Sequence, residues 1–232
     1  MVSAPAAADA VARARRLPGL AVGLHLVLVD GVPVLPPAEL SGLVGRDGRF
    51  PGNEVAAGFR FFFRPGARRR LAAEIRAQFA AFRATGLALD HVNGHKHVHL
   101  HPTVARLAVA VGREFGLRAM RLPAEPPGVL RAAFPAERYR APFYGFAVRA
   151  LRRRIARAGL AANDRVFGIA WSGAMTEARL LALLPHLPDG VSECYFHPRA
   201  APGDAELAAL LSPAVRRRLA ELGIVRISYS DL

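Results

Sequence analysis

Short runs rich in Val and Leu alternate along this chain with longer stretches whose apolar residues recur every three to four positions. That alternation leaves few architectures open. The run Leu20–Val29 (LAVGLHLVLV) predicts a buried strand that ends at the turn Asp30-Gly31. Pro33, Pro36 and Pro37 then make residues 31–54 mostly loop, and Phe61–Phe63 is a short apolar run closed by Pro65. Leu71, Ile75, Phe79 and Phe82 lie on one face of a helix predicted over Ala67–Thr85, which stops at Gly86. Further strands are predicted at Leu87–Asn93, Leu117–Leu122, Arg165–Ala170, Val191–Phe196 and Ile224–Ser228. Further helices are predicted at Pro102–Phe115, Phe146–Ala158, Thr176–Leu184 and Ser212–Leu222. Residues 123–145, rich in Pro and Arg, read as a long excursion. Strands alternating with helices imply an α/β fold of parallel strands with helices outside, either an open doubly wound sheet or a barrel. With no repeat or linker, residues 1–232 read as a single domain.

Composition removes several classes. Cys194 is the only cysteine, so neither an intramolecular disulfide nor a Cys-based zinc site is available. No run of apolar residues is long enough to span a membrane, and Met1–Leu17 lacks a compact apolar signal segment, so a cytoplasmic protein is expected. The net charge is +14, yet Lys96 is the only lysine. Arginine and alanine enriched at lysine's expense are what a GC-rich genome tends to produce, so the charge reads as a solvated arginine surface. No nucleic-acid recognition motif is present, and no nucleic-acid partner is expected. The helix at Phe146 is basic and amphipathic, compatible either with a packed helix bearing a solvated arginine face or with peripheral contact at an anionic membrane.

Five of the eight histidines lie between His91 and His101, in the sequence Asp90-His91-Val92-Asn93-Gly94-His95-Lys96-His97-Val98-His99-Leu100-His101-Pro102. In an extended segment the period-two spacing of His95, His97, His99 and His101 would put all four on one face. The cluster follows a predicted strand and precedes a helix, where α/β folds place their active sites. Imidazole is the commonest protein ligand for divalent metals, so a metal or catalytic site is the favoured reading. His25, inside an apolar strand, is either a satisfied core histidine or a further ligand facing the same metal. His197 ends another predicted strand and reads equally as a general acid or base or as a bystander. Cys194 reads as a small core residue rather than a nucleophile. Three strand-end histidine sites together suggest hydrolysis by metal-activated water. Carboxylates are scarce, with Asp90 and Glu193 as weak candidates.

The sequence resembles the YdjC-like carbohydrate deacetylases. The likeness rests on Val22-Gly23-Leu24-His25-Leu26, the block His91 to Pro102, Phe143-Tyr144-Gly145, His197-Pro198 and Ile227-Ser228-Tyr229. Within that family it is most similar to the hopanoid-biosynthesis branch, through Leu26–Gly31, Asp90–His97, Phe167–Gly173 and Ile227–Leu232. The resemblance implies a TIM-barrel-like (β/α) fold of the polysaccharide-deacetylase type and a divalent metal, Mg²⁺ or Zn²⁺. It also implies removal of an N-acetyl group from an N-acetylglucosamine-type sugar or glycolipid. Carried over by position, His25 and His95 would be metal ligands and His197 the catalytic acid. His97, His99 and Arg121 would contact substrate or support the ligands. A glycolipid substrate would bring a cytoplasmic enzyme to the inner membrane surface. The family's opening strand ends in Asp-Asp-Phe-Gly, which this sequence lacks. The expectation is therefore a barrel without its first strand–helix unit, and a chain that is weak or inactive in catalysis or acts by binding alone.

Overall fold

The computed structural model describes residues 1–53, 58, 65–138 and 145–232. The expected run at Phe61–Phe63 and the resemblance at Phe143-Tyr144 lie outside the described residues. The chain divides into two compact units. The first comprises Met1–Arg121, Phe146–Ala162 and Ser228–Leu232, the second Leu122–Gly145 and Asn163–Ile227.

In the first unit, α1 (Ala7–Arg15) precedes β1 (Val22–Leu26). Helix α2 (Pro65–Ala84) then leads to β2 (Leu89–Gly94), and α3 (Pro102–Glu114) follows. Strands β1 and β2 are parallel, with His25 opposite Asn93 and Leu26 opposite Gly94. The sequence expects a third strand at Leu117–Leu122. Two bridges take its place, Val92 with Met120 and Ala119 with Ala161. The backbone bonds from Arg121 N to Val92 O and from Val92 N to Ala119 O still set that segment alongside β2.

Helix α2 packs as its periodicity requires, with Leu71, Ile75, Phe79 and Phe82 all buried. Each such side chain contributes roughly 1.5–3 kcal/mol by leaving water. Less expected are two buried polar residues on the same helix, Glu74 and Gln78. Gln78 bonds both the N–H and the carbonyl of Val27, at 2.9 and 2.7 Å, so its amide stands in for a neighbouring strand just beyond β1. Glu74 accepts from Val34 N, Leu35 N and the Gln78 amide. The chain leaving β1 is thus fixed by side chains of α2. Gly112 lets α3 approach closely: a Cβ there would lie 2.6 Å from Leu117 and 2.9 Å from Phe79.

The second unit holds α4 (Pro127–Ala133), β3 (Arg165–Phe167), α6 (Glu177–Leu183), β4 (Ser192–Cys194), α7 (Ala205–Leu211) and α8 (Pro213–Glu221). Helix α5 (Gly145–Arg157) lies almost wholly in the first unit. Thr176 caps α6, accepting from Arg179 N. Strands β3 and β4 are parallel. The described strands therefore pair in two sheets of two, short of the closed barrel that the resemblance implies. The strand expected at Ile224–Ser228 does not form; Val225 and Ile227 are exposed, and the chain ends in a turn with Ser228 and Asp231 as a capping box. The excursion at 123–145 contains a helix, α4.

A buried carboxylate organises the end of β3. Glu125 accepts from the backbone N–H groups of Gly168, Ile169 and Ala170, each at 2.9 Å. Glu125→Ala is expected to strand these donors and cost about 3 kcal/mol of stability, since a buried donor left unpaired costs about 1–3 kcal/mol. Urea denaturation would show a lower midpoint. A loss under about 1 kcal/mol would mean that water replaces the carboxylate.

Candidate functional site

His25 stands near the carboxyl end of β1 beside Asn93 on β2, because the two strands run parallel and in that register. Its Nδ1 lies 2.6 Å from Asn93 Oδ1. The Asn93 amide nitrogen lies 3.2 Å from His91 Nε2, and His91 Nδ1 lies 2.7 Å from Asp90 Oδ2. The amide fixes every proton in this chain. Asn93 Nδ2–H donates to His91 Nε2, so His91 carries its proton on Nδ1 and donates it to Asp90. Asn93 Oδ1 accepts, so His25 carries its proton on Nδ1, and its Nε2 holds the lone pair. Burial pushes the His25 pKa down to about 4; the Asn93 bond acts against this, while the charges of His95 and Arg121 add to it. At neutral pH His25 is therefore an uncharged imidazole with one tautomer and an available lone pair. A metal ligand needs that state, and a hydrogen-bonded partner on the other ring nitrogen is the usual way of securing it.

The support behind His25 is itself held tightly. The His91 ring lies against Gly23, where a Cβ would fall 2.5 Å from it, and is stacked with Tyr229 at a centroid distance of 4.3 Å. Asp90 is buried and also accepts from Ser230 N at 2.9 Å. Burial alone would raise its pKa, but the bonds from His91 and Ser230 outweigh that and hold it below the usual carboxylate range. The turn at Ser228–Asp231 thus reaches back to the relay.

The histidines after β2 do not share one face. Residues 95–100 form a 3-10 turn rather than an extended segment, with Lys96 and His97 in the left-handed region at φ 50° and 53°. That kink separates the side chains. The His95 ring lies edge-on to His25, with centroids 5.6 Å apart. The His97 ring lies 6.0 Å from that of His99. His99 is fully buried and donates from Nε2 to the carbonyl of Arg121, leaving Nδ1 as a buried nitrogen without a hydrogen-bond partner among the described residues. Burial holds its pKa well below the ordinary value, so it too is neutral. His101 turns away to accept from Thr103 N at the start of α3. Lys96 reaches Asp30 at 2.9 Å, tying the turn after β1 to the turn after β2. The structure therefore brings His25 and His95 together, sets His99 on the carbonyl of Arg121, and uses His101 as a helix cap.

His197 belongs to the second unit, three residues beyond β4, and is exposed. Its backbone N–H donates to the buried Glu206 carboxylate, which also accepts from Met175 N. The Tyr195 ring stands edge-on to the His197 ring at 5.4 Å. Burial, with the nearby charges of Glu193 and Glu125, pushes the Cys194 thiol up to about 12, so it is a core group and no nucleophile.

His25, its tautomer defined by Asn93, and the adjacent His95 suit a divalent cation. Among the described residues, however, no group of three or more His, Cys, Asp or Glu side chains is arranged to hold one. The donor set fits on its nitrogen side, as a pair. Sequence reasoning found His25 and the cluster but missed the Asp90–His91–Asn93 relay, although Asn93 one residue before Gly94 at a strand end is where a ligand-orienting amide would sit.

Residues 1–221 match the family described as YdjC-like protein. A carbohydrate deacetylase of Geobacillus stearothermophilus is 29% identical over all of this chain and 84% of its own length. A chitooligosaccharide deacetylase of Serratia marcescens is 28% identical over all of this chain and 86% of its own. Among solved structures, a protein of Enterococcus faecalis described as a putative cellobiose-phosphate cleavage protein aligns with a TM-score of 0.73 at 21% identity. That alignment covers all of this chain and 85% of the other, and shows a shared fold.

Proposed function

Because the chain belongs to the YdjC-like protein family, we propose that it is a divalent-metal-dependent carbohydrate N-deacetylase, hydrolysing the acetamide of an N-acetylglucosamine-type sugar. The observation that carries this reading is the neutral His25, its tautomer set by Asn93 and its Nε2 open, beside His95 at the ends of two parallel strands. The names of the related deacetylases support the acyl-sugar substrate. A (β/α) barrel of the family type, read as a single domain over residues 1–232, belongs to the same proposal.

Each residue has a stated role. His25 and His95 hold the metal, Mg²⁺ or Zn²⁺, and the Asp90–His91–Asn93 relay keeps His25 oriented. The chemistry such an ion supplies is activation of water and polarisation of the amide carbonyl. His197 gives a proton to the leaving amine nitrogen. His97 and the Arg121 guanidinium are assigned to substrate, and His99 to packing beneath the turn. The finer substrate, a hopanoid-linked N-acetylglucosaminyl lipid, rests on the sequence blocks Leu26–Gly31 and Phe167–Gly173. It would set a cytoplasmic enzyme against the inner membrane surface. No helix among the described residues is long and apolar enough to cross a membrane.

A second reading, metal binding without turnover, is favoured because, among the described residues, no carboxylate joins the pair of imidazoles in one group. Acetate release from N-acetylglucosaminyl lipid and from chitooligosaccharides, with and without added Mg²⁺ or Zn²⁺, separates the two. Metal-dependent acetate release is expected. Metal binding with no acetate from either substrate would favour the second reading.

A further inference from the structure

Helices α3 and α5 of the first unit enclose a groove of about 440 Å³ lined by Arg113, Arg153, Arg154 and Arg157, with Val109 and Ala150 among the other lining residues. No lining residue is acidic, and α5 (GFAVRALRRRIAR) contains no carboxylate. Arg113 is held by its bond to the Ala158 carbonyl at 2.9 Å. Among the described residues, Arg153, Arg154 and Arg157 are in no ion pair with a carboxylate. Four guanidinium groups around one concavity repel one another unless an anion sits among them.

The helix geometry adds an apolar element. At 100° per residue, positions 146, 150, 153 and 157 form one narrow row. That row lies opposite Leu151 and Ile155, which are buried in the core. Phe146 therefore stands on the solvent side in line with the arginines, and it is 77% exposed. An outward aromatic beside a guanidinium cluster matches the boundary of an anionic bilayer, where phosphates meet the cations and acyl chains meet the ring.

We propose that the α3–α5 groove docks the protein on an anionic membrane surface by binding phospholipid phosphate groups, with Phe146 entering the acyl boundary. This deepens the membrane contact that a glycolipid substrate requires, but it does not depend on turnover. Vesicle binding is measured without substrate or metal, so its failure and the failure of the deacetylase reading are distinguishable.

The full chain is sedimented with phosphatidylcholine vesicles and with vesicles that also contain phosphatidylglycerol. Binding is expected only to the anionic vesicles and is expected to weaken with salt. The triple variant R153S/R154S/R157S should bind about a hundredfold less tightly, at the free energy usual for basic residues near an anionic leaflet. R216S/R217S/R226S removes the same charge from the second unit and should bind as wild type. Phe146→Ser, which alters no charge, should weaken binding as well and serves if the triple variant misfolds. Equal binding to neutral vesicles, or equal losses in the two triple variants, would overturn the proposal. So would tight binding of inorganic pyrophosphate with no uptake onto vesicles, which would assign the groove to a soluble phosphate ligand.

Discussion

A His25→Ala variant is expected to lose more than about a hundredfold in affinity for Zn²⁺ or Mg²⁺, with deacetylation falling at least as far. Disturbing a residue that only orients a ligand typically costs 10–100-fold, so removing the donor itself should exceed that range. His95→Ala should behave alike. Asn93→Leu should fall within the range, because it removes the acceptor that fixes the His25 proton on Nδ1 while leaving the imidazole in place. Calorimetric metal titration gives the order of the three. The fold should survive each change, since a buried partner left unpaired costs only about 1–3 kcal/mol. Wild-type affinity in the His25→Ala/His95→Ala double variant would remove this pair from the metal site.

His197→Ala is expected to lower kcat by about 10²–10⁴, the span usual for a general acid, while KM moves far less. His197 is exposed, and among the described residues its hydrogen bond runs from the backbone N–H to Glu206, so truncating the ring should leave stability almost unchanged. A raised KM with an unaltered kcat would make the residue a substrate contact instead. Glu206→Gln tests the support from behind: it weakens the acceptor for His197 N and Met175 N, and should perturb stability more than chemistry.

The sequence revealed these sites unevenly, for physical reasons. His25 stood out because a polar group inside an apolar run must find a partner. The density of histidines after β2 was equally plain. Their directions were not, since period-two spacing predicts a common face only for extended backbone, and Lys96 and His97 take left-handed angles instead. Glu74 and Gln78 were invisible because a polar residue on an amphipathic helix reads as solvent-facing, and Glu125 because it sits in a Pro-rich excursion, whereas here each satisfies backbone groups. Helix α4 did carry a signal, Pro127 in its first turn, hidden among neighbouring prolines. The short apolar run at Ile224–Ser228 suggested a strand, but a strand needs a paired neighbour, and the exposed Val225 and Ile227 lack the burial that would accompany one.

The bond between His25 and Asn93 joins residues 68 positions apart, and Ser230 reaches Asp90 across 140. Closing a loop of the first length costs about 4 kcal/mol of chain entropy, which no single hydrogen bond recovers. The orientation of His25 is therefore a late product of folding, formed only when β1, α2 and β2 have docked together. Refolding followed by the return of metal binding should lag behind the return of helical signal, and a cation added to the denatured chain should do little to speed either.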